Sequence, residues 1–286
     1  MGIERKGSNG MKELNGSELV GYIKERQAKS VRNLKQQWKI LPKLSIIRTN
    51  PDPVVDSYMR IKQAYGEDIL IDVDVHTIDQ SEALETIKNL NNDISVHGII
   101  VQIPLPDRTQ TDSILNSVSV EKDVDGLAQG SKFDAPTPIA ISWLLAGYGV
   151  DMNDKNIVIV GHGRLVGSPL ARMWQNSGYS VTVIDKQTPD LKAVTLNADI
   201  LVSATGVPGL IKPDMVKPSV VIVDAGVATD SNGLVGDVSD EVRSLKDIII
   251  TPIKGGVGPL TVSALFENVI TACRNSSQPL APTQTN

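Results

Sequence analysis

The first half of the chain alternates between two patterns of apolar positions. From Ser17 to Trp38 apolar residues recur every three or four positions, which predicts an amphipathic helix. The same two patterns then predict, in order, a strand at 43–48, a helix at 54–65, a strand at 69–75, a helix at 81–90, a strand at 97–103, a short helix at 112–117 and an apolar helix that follows Pro136-Thr-Pro138 and runs through Trp143 to Tyr148. Strands and helices in alternation are typical of α/β domains with parallel sheets.

The second half contains short apolar runs that are typical of strands buried on both faces. They lie at 156–160, 180–184, 199–203, 219–223 and 248–251. An amphipathic helix is predicted at 260–274, and we expect it to return to the first domain because the second already has its strands. The pattern predicts a domain of residues 11–148 with this helix and a second domain of residues 149–259. Residues 1–10 and 275–286 are polar and are predicted to be disordered.

Composition narrows the class of protein. The chain has 286 residues, 41% of them hydrophobic, which suits two globular domains. A net charge of -5 and the absence of a Lys/Arg cluster argue against a nucleic-acid partner. No apolar run approaches the ~18 residues of a membrane span, so no membrane partner is expected. The single Cys273 favours a reducing, cytoplasmic location, and three widely separated histidines predict no metal site.

A glycine pattern follows the strand at 156–160. The sequence Gly161-His162-Gly163-Arg164-Leu165-Val166-Gly167 has the form of a dinucleotide loop, in which a tight turn leads into a helix whose N-terminal N–H groups hold a pyrophosphate. Asp185 ends the next strand 24 residues after Gly161, near the spacing of about 20 residues expected for a ribose-binding acid. A structural glycine turn is the alternative, but strand, loop, helix, strand and acid in this order favour a nucleotide-binding unit.

Three further places carry candidate chemistry. Tyr58 and Lys62 are four residues apart, so both project from one face of a helix; spacing alone favours a solvated pair. Gln102 is polar within an apolar strand that ends in prolines, where a backbone hydrogen bond and a ligand contact are equally good interpretations. The loop 122–126 holds Asp123 and a second carboxylate, of which turn chemistry explains one.

Seven motifs in order resemble the bifunctional methylenetetrahydrofolate dehydrogenase/methenyltetrahydrofolate cyclohydrolase family. The likeness covers residues from about 14 to 274. The motifs are Tyr58-x-x-x-Lys62, Val101-Gln-Ile-Pro-Leu-Pro106, Lys122-Asp-Val-Asp-Gly126, Leu165-Val-Gly-Ser-Pro169, Val223-Asp-Ala-Gly226, Val235-Gly-Asp237 and Thr251-Pro-Ile-Lys-Gly-Gly-Val-Gly-Pro259.

The resemblance implies two α/β domains that flank a cleft, the second a Rossmann-like NAD(P)-binding domain, and a homodimer formed through the nucleotide domains. It also implies two reactions at one site: oxidation of methylene-tetrahydrofolate by hydride transfer to a nicotinamide, and hydrolysis of the methenyl product to formyl-tetrahydrofolate.

The resemblance also implies roles for individual residues. Lys62 would be the essential cyclohydrolase residue with Gln102 bonded to it, Tyr58 would stack on the folate, and Asp123 would bind the pterin. Gly255, Gly256 and Pro259 would line the folate side. Cofactor contacts are expected from Gly161, His162, Gly163, Arg164, Val166, Gly167, Asp185, Lys186 and Thr205. A lysine that assists water attack near pH 7 must have a lowered pKa, which desolvation and a cationic substrate favour.

The chain departs from the family pattern in its nucleotide motifs. The family usually has Gly-Arg-Ser where this chain has Gly161-His162-Gly163, and His-Ser before a basic residue where it has Asp185-Lys186-Gln187. A carboxylate at Asp185 suits a free ribose hydroxyl and repels a phosphate, which predicts NAD in preference to NADP. Arg164 and Lys186 nevertheless offer contacts to a phosphate.

Three alternatives to the bifunctional enzyme follow from the same sequence. One is a dehydrogenase with weak or no cyclohydrolase activity, which the presence of Lys62 and Gln102 argues against. Another is a non-catalytic folate- or nucleotide-binding protein, which would have no need for the Lys–Gln pair. The last is a two-domain dehydrogenase of an amino acid or shikimate-like substrate, which would lack the motifs around Gln102 and Gly255.

Overall fold

A computed structural model describes residues 12–226, 228–230 and 233–277. The strands are β1 (Lys12–Glu13), β2 (Lys43–Arg48), β3 (Asp72–Thr77), β4 (Gly98–Val101), β5 (Ile157–Val160), β6 (Val181–Ile184), β7 (Ile200–Ser203), β8 (Val221–Asp224), β9 (Ala228–Asp230), β10 (Gly233–Val235) and β11 (Ile249–Ile250). The α-helices are α1 (Gly16–Trp38), α2 (Pro53–Asp68), α3 (Ala83–Asn92), α4 (Thr111–Leu115), α5 (Pro136–Gly147), α6 (Gly167–Asn176), α7 (Leu191–Thr195), α8 (Asp240–Arg243) and α9 (Val257–Ser277).

Contacts within the chain define two compact units. Among the described residues, Leu19–Ala140 and those from Pro259 onward form what we call the three-stranded unit, and those up to Glu18 with Ile141–Gly258 form the six-stranded unit. The C-terminal helix α9 belongs to the three-stranded unit from Pro259 onward. The segment before α1 instead joins the six-stranded unit, because β1 pairs with β11 there.

The three-stranded unit is built on a parallel sheet of order β3-β2-β4. The central strand β2 is buried on both faces. Ile46 on one face belongs to a core with Phe266 of α9, while Ile47 on the other packs with Ile99 and Ile87. Tyr65 of α2 stacks on Phe266 with ring centroids 5.1 Å apart. The two helical layers therefore hold the carboxyl ends of β2 and β4 in place.

The six-stranded unit has a parallel sheet of order β1-β11-β8-β7-β5-β6. From β5 the chain first adds β6 on one side and then β7 on the other, so the strand order reverses at the carboxyl end of β5. Ligands of open parallel sheets bind beyond the strand ends at such a reversal. The topology therefore predicts a binding site at the loop that follows Val160.

Most elements predicted from the hydrophobic pattern are present, with shifted ends. The strand predicted at 69–75 begins at Asp72, because the chain reverses through Leu70 in a left-handed conformation (φ 65°) while Ile69 and Ile71 enter the core. Residues 275–277, predicted to be disordered, are helical as the end of α9. The remaining predicted disorder, at 1–10 and 278–286, lies outside the described residues.

In the described part of the chain, no helix is long and apolar enough to cross a membrane. Among the same residues, no three or more His, Cys, Asp or Glu side chains lie together in a way that could hold a metal ion.

Candidate active site

Lys62 and Gln102 meet beyond the carboxyl end of the three-stranded sheet. Lys62 lies on α2 and its Nζ donates to Gln102 Oε1 over 3.1 Å. Gln102 directly follows β4, where its backbone N–H donates to Ile47 O of β2. The Gln102 Nε2 donates to Ile103 O over 3.1 Å, which turns the carbonyl oxygen of the amide toward the lysine. The sequence left Gln102 open between two interpretations, and the structure shows a side-chain partner for the lysine.

The surroundings of Lys62 favour its neutral form. Burial lowers the pKa of Lys62 below its ordinary value, and the carboxylate of Asp125 acts in the opposite direction. Burial also raises the pKa of Asp125, an effect that the charge of Lys62 opposes. Gln102 orients the amine without adding a negative charge that would keep it protonated. The amine is therefore disposed to accept a proton.

The loop 122–126 gives its three charged residues different tasks. Lys122 Nζ donates to the carbonyls of Leu90, Asn91 and Asp93 over 3.0, 2.9 and 2.7 Å, and so holds the end of α3. Asp123 is 4% exposed, and its Oδ2 accepts from Ala128 N over 2.8 Å. Asp125 is half-buried and interacts with the charge of Lys62. Of the two carboxylates in the loop, the one whose charge acts on Lys62 is therefore the second, Asp125.

Gly126 explains why this loop needs a glycine. It has φ +69°, and a Cβ there would lie 2.8 Å from both Ala135 N and Phe133 O. The loop therefore closes tightly on the segment before α5, and Asp125 is held immediately before the turn.

Tyr58 stands one turn before Lys62 on α2. Its side chain is 46% exposed, so part of the ring is in contact with solvent. This placement leaves the ring accessible to a ligand at the same helix face. Its stacking role stays a prediction.

The glycines near the end of the chain have tight surroundings within the protein. Gly255 has φ +83°, and a Cβ there would lie 2.7 Å from Ser17 Oγ. Ser17 N donates to Gly255 O over 3.0 Å. At Gly256 a Cβ would lie 3.0 Å from Pro252 O. Close packing thus explains both glycines, and the predicted contacts of Gly255, Gly256 and Pro259 with folate stay predictions.

The three glycines of the loop after β5 have two different environments. Gly161 has φ +103°, and a Cβ there would lie 2.5 Å from Ala204 O. At Gly167, where α6 begins, a Cβ would lie 1.9 Å from Gly161 O. A Cβ at Gly163 would meet no atom within 4 Å. The outer glycines therefore fold the loop against its neighbours, while the middle glycine leaves room for a ligand beside the backbone.

The other predicted cofactor residues surround the same end of the sheet. His162, Arg164, Asp185 and Lys186 are exposed, and Val166 is half-buried just before α6. Asp185 follows β6 directly, and its Oδ1 accepts from Gln187 N over 2.8 Å. Thr205 lies in the turn after β7. The exposed ring of loop and strand-end residues fits a dinucleotide.

A buried acidic cluster in this unit was not recognised from the sequence. Asp224 accepts from the backbone amides of Asp237 and Val238, each over 3.1 Å, and is ion-paired with Arg243. The sequence signal for this cluster is a glycine in each of two motifs, Gly226 and Gly236. A Cβ at Gly236 would lie 2.1 Å from Asp224 Oδ2, and one at Gly226 would lie 2.0 Å from Asp237 Oδ1. Each glycine makes room for a buried carboxylate.

These features define a class of protein: a two-unit α/β enzyme with a dinucleotide-binding domain and a Lys–Gln pair in its other domain. Comparison with known families identifies which one. Residues 14–125 match the tetrahydrofolate dehydrogenase/cyclohydrolase catalytic domain, and residues 135–277 match the NAD(P)-binding domain of the same family. The chain belongs to this family, and it is a bifunctional methylenetetrahydrofolate dehydrogenase/cyclohydrolase of one-carbon folate metabolism. The predicted family, fold class and enzyme activities are confirmed.

Individual relatives agree along nearly the whole chain. The bifunctional protein FolD of Nitratiruptor sp. is 38% identical over 277 residues, which cover 92% of this chain and 98% of that protein. A crystal structure of FolD from Campylobacter jejuni is 37% identical, covers 93% of this chain and 99% of its own, and has a TM-score of 0.88. A FolD structure from Trypanosoma brucei, complexed with NADP and an inhibitor, is 29% identical with a TM-score of 0.87, covering 94% and 99%.

Proposed function

We propose that Lys62, oriented by Gln102, is the proton-transfer group of the cyclohydrolase step, and that the Gly161–Gly167 loop binds the dinucleotide with a preference for NAD. The observation that carries the first part is the 3.1 Å bond from Lys62 Nζ to Gln102 Oε1, on a lysine whose pKa is lowered by burial.

The hydrolysis needs a group that first accepts and then returns a proton. Water attacks the methenyl carbon, its oxygen forms a new bond there, and neutral Lys62 takes the proton that the water loses. The carbon–nitrogen bond of the resulting neutral adduct then breaks, and Lys62 returns its proton to the departing nitrogen. The hydroxyl of the adduct loses its proton to solvent as the formyl carbonyl forms, so the positive charge of the methenyl group leaves as one released proton. Lys62 is therefore neutral again at the end of the reaction. A positioned general base of this kind contributes about 10²- to 10⁴-fold.

Asp125 is the better candidate for a carboxylate that meets the folate ring. Its charge acts on Lys62, whereas Asp123 directs a carboxylate oxygen to the backbone of its own loop. A substrate that displaces Lys62 as the partner of Asp125 would also lower the lysine pKa further, since the carboxylate raises it. The predicted pterin contact of Asp123 remains the competing assignment.

The dehydrogenase step depends on how the six-stranded unit places the dinucleotide. The nicotinamide, when bound, accepts the hydride from the methylene bridge, and the protein supplies orientation. Gly163 leaves space for a pyrophosphate beside the loop, and the exposed Asp185 follows β6 where the adenosine ribose is expected. A carboxylate there accepts from a ribose hydroxyl and repels a 2′-phosphate.

We also propose that the protein is a cytoplasmic homodimer formed through its six-stranded units. This part rests on the family resemblance and on the single, buried Cys273. Sedimentation equilibrium of the purified protein at micromolar concentration tests the dimer, and a monomer under those conditions would contradict it.

The first experiment is a spectrophotometric assay of methenyl formation from methylene-tetrahydrofolate, run in parallel with NAD and NADP. We expect turnover with both and a higher kcat/KM with NAD. The exchange Asp185→Ser should shift the ratio toward NADP, while Asp154→Ser, at an exposed turn before β5, should leave it unchanged. A kcat/KM with NADP more than about tenfold above that with NAD would reject the proposed preference.

A further inference from the structure

We propose that Asp237 is a positioning residue for the dinucleotide, because it fixes the peptide on which the first glycine of the dinucleotide loop rests. This inference rests on the proposed nucleotide-binding role of the Gly161–Gly167 loop.

The first step is the attachment of Asp237 to the end of β7. Its side chain is 1% exposed, and its Oδ2 accepts from Ser203 Oγ and from Thr205 N, both over 2.7 Å. Ser203 is the last residue of β7, and Thr205 lies in the turn that follows. A single carboxylate oxygen therefore fixes both the strand end and its turn.

The second step is the contact between this turn and the dinucleotide loop. The position that a Cβ of Gly161 would take lies 2.5 Å from Ala204 O and 3.2 Å from Thr205 Cγ2. Ala204 N in turn donates to Val160 O over 2.8 Å. Gly161 thus rests on the Ala204–Thr205 peptide, whose amide N–H is the one that Asp237 holds. Asp237 acts on the loop from 76 residues further along the chain.

The third step is that Asp237 is itself held from behind. Its backbone N–H donates to Asp224 Oδ1 over 3.1 Å, and Asp224 is ion-paired with Arg243. Gly226 gives the Asp237 carboxylate its space. Supporting groups behind a binding residue commonly set its precision in this way.

The energetic cost of this arrangement argues for a role beyond packing. Asp237 Oδ1 is buried and has no hydrogen-bond partner among the described residues. A buried carboxylate with an unsatisfied oxygen is destabilising compared with an apolar residue of the same size. The Asp237 carboxylate fixes the position of the turn after β7, and that turn supports the dinucleotide loop.

The test uses the full-length protein and the isosteric exchange Asp237→Asn, with Asp199→Asn as the matched control. Asp199 directly precedes the first residue of β7, and its Oδ2 accepts from Asn156 N over 2.8 Å. Dissociation constants for NAD and NADP are measured by calorimetry. Cyclohydrolase activity is measured directly on methenyl-tetrahydrofolate, a reaction that consumes no nucleotide. Asp237→Asn should raise the nucleotide Kd about tenfold with cyclohydrolase activity unchanged, and Asp199→Asn should leave both as in the wild type.

Two outcomes overturn the inference alone: an unchanged Kd in Asp237→Asn, or equal losses in both variants. Failure of the wild type to bind either nucleotide would contradict the proposed function as well. Should Asp237→Asn not fold, hydrogen exchange of the wild-type Asp237 amide decides, because Asp237 is not itself one of the expected cofactor contacts. Since coupling is reciprocal, added NAD should slow its exchange, and an unchanged rate would overturn the inference.

Discussion

The Lys62–Gln102 pair and the glycine loop after β5 achieve function in opposite ways. At Lys62 the chemistry lies in a side chain whose pKa the surrounding protein lowers. In the loop the function depends on the backbone. Gly161 and Gly167 matter because a Cβ at either position would clash with neighbouring backbone atoms. The Lys62 site should tolerate changes in side-chain shape around the lysine, but should not tolerate loss of the amine itself. The second should respond to the addition of a single methyl group.

The two sites also differ in how substitutions should affect the fold. Lys62 is half-buried on a helix whose core contacts are made by other residues, such as Met59 and Tyr65. Gly167 lies against the carbonyl of Gly161 with no space to spare. Exchanges at the lysine should therefore change rates, and exchanges at the packed glycines should change stability.

The largest effect is expected at Lys62. Lys62→Met keeps the aliphatic stem and removes the amine, so cyclohydrolase activity should fall about 10²- to 10⁴-fold, the contribution of a positioned general base. Much of the hydride transfer and the nucleotide Kd should remain. Separate assays of methenyl formation and methenyl hydrolysis measure the two activities. Arg60→Met, at an exposed position of the same helix, is the control; survival of both activities in Lys62→Met would refute the assignment.

The next effect separates the two kinds of glycine in the loop. Gly167→Ala places a methyl group 1.9 Å from a backbone oxygen, so the six-stranded unit should lose about 3 kcal/mol of stability or more. Gly163→Ala meets no atom within 4 Å and should unfold as the wild type does, yet bind nucleotide about tenfold more weakly. Thermal unfolding and calorimetry measure the two quantities. Equal melting temperatures for the two variants would remove the distinction.

Much of the fold and of the site could be predicted because the signals were local. The apolar pattern at 43–48 marks both ends of the strand. The four-residue spacing of Tyr58 and Lys62 is enough to place both on one face of a helix. Asp224 and Asp237 were missed because a buried carboxylate is recognised by what surrounds it, and those partners lie far away in sequence. The same reason applies to the two loop carboxylates. The sequence does not show which of Asp123 and Asp125 acts on the charge of Lys62, since that depends on how the loop turns at Gly126.

A smaller effect is expected from that pair of carboxylates. Asp125→Asn removes the charge that raises the pKa of Lys62, so the pKa falls further. Because the neutral amine is the active form, cyclohydrolase activity rises with pH through this pKa, and the rising limb should move to lower pH in the variant. The pH profile of kcat measures the shift, and KM for the folate should also rise.

Asp123→Asn is the comparison variant. It retains an oxygen that can accept from Ala128 N and should leave the rising limb where it is. A rise in folate KM that appears in Asp123→Asn and not in Asp125→Asn would instead support the assignment made from the family resemblance.

The smallest effect is expected where a side chain supports a packed glycine. Tyr148 Oη accepts from Asn15 N over 3.0 Å and donates to Glu18 Oε2 over 2.9 Å, which fixes the segment against which Gly255 packs. Tyr148→Phe removes these bonds and keeps the ring, so it should cost about 1 kcal/mol. Thermal unfolding should show a lowered melting temperature, and both activities at 25 °C should be unchanged. Gly255→Ala, which forces a Cβ to within 2.7 Å of Ser17 Oγ at φ +83°, should be worse in both respects. If Tyr148→Phe lowered the melting temperature as much as Gly255→Ala, the loop would depend on the Tyr148 hydroxyl more than on the close packing at Gly255.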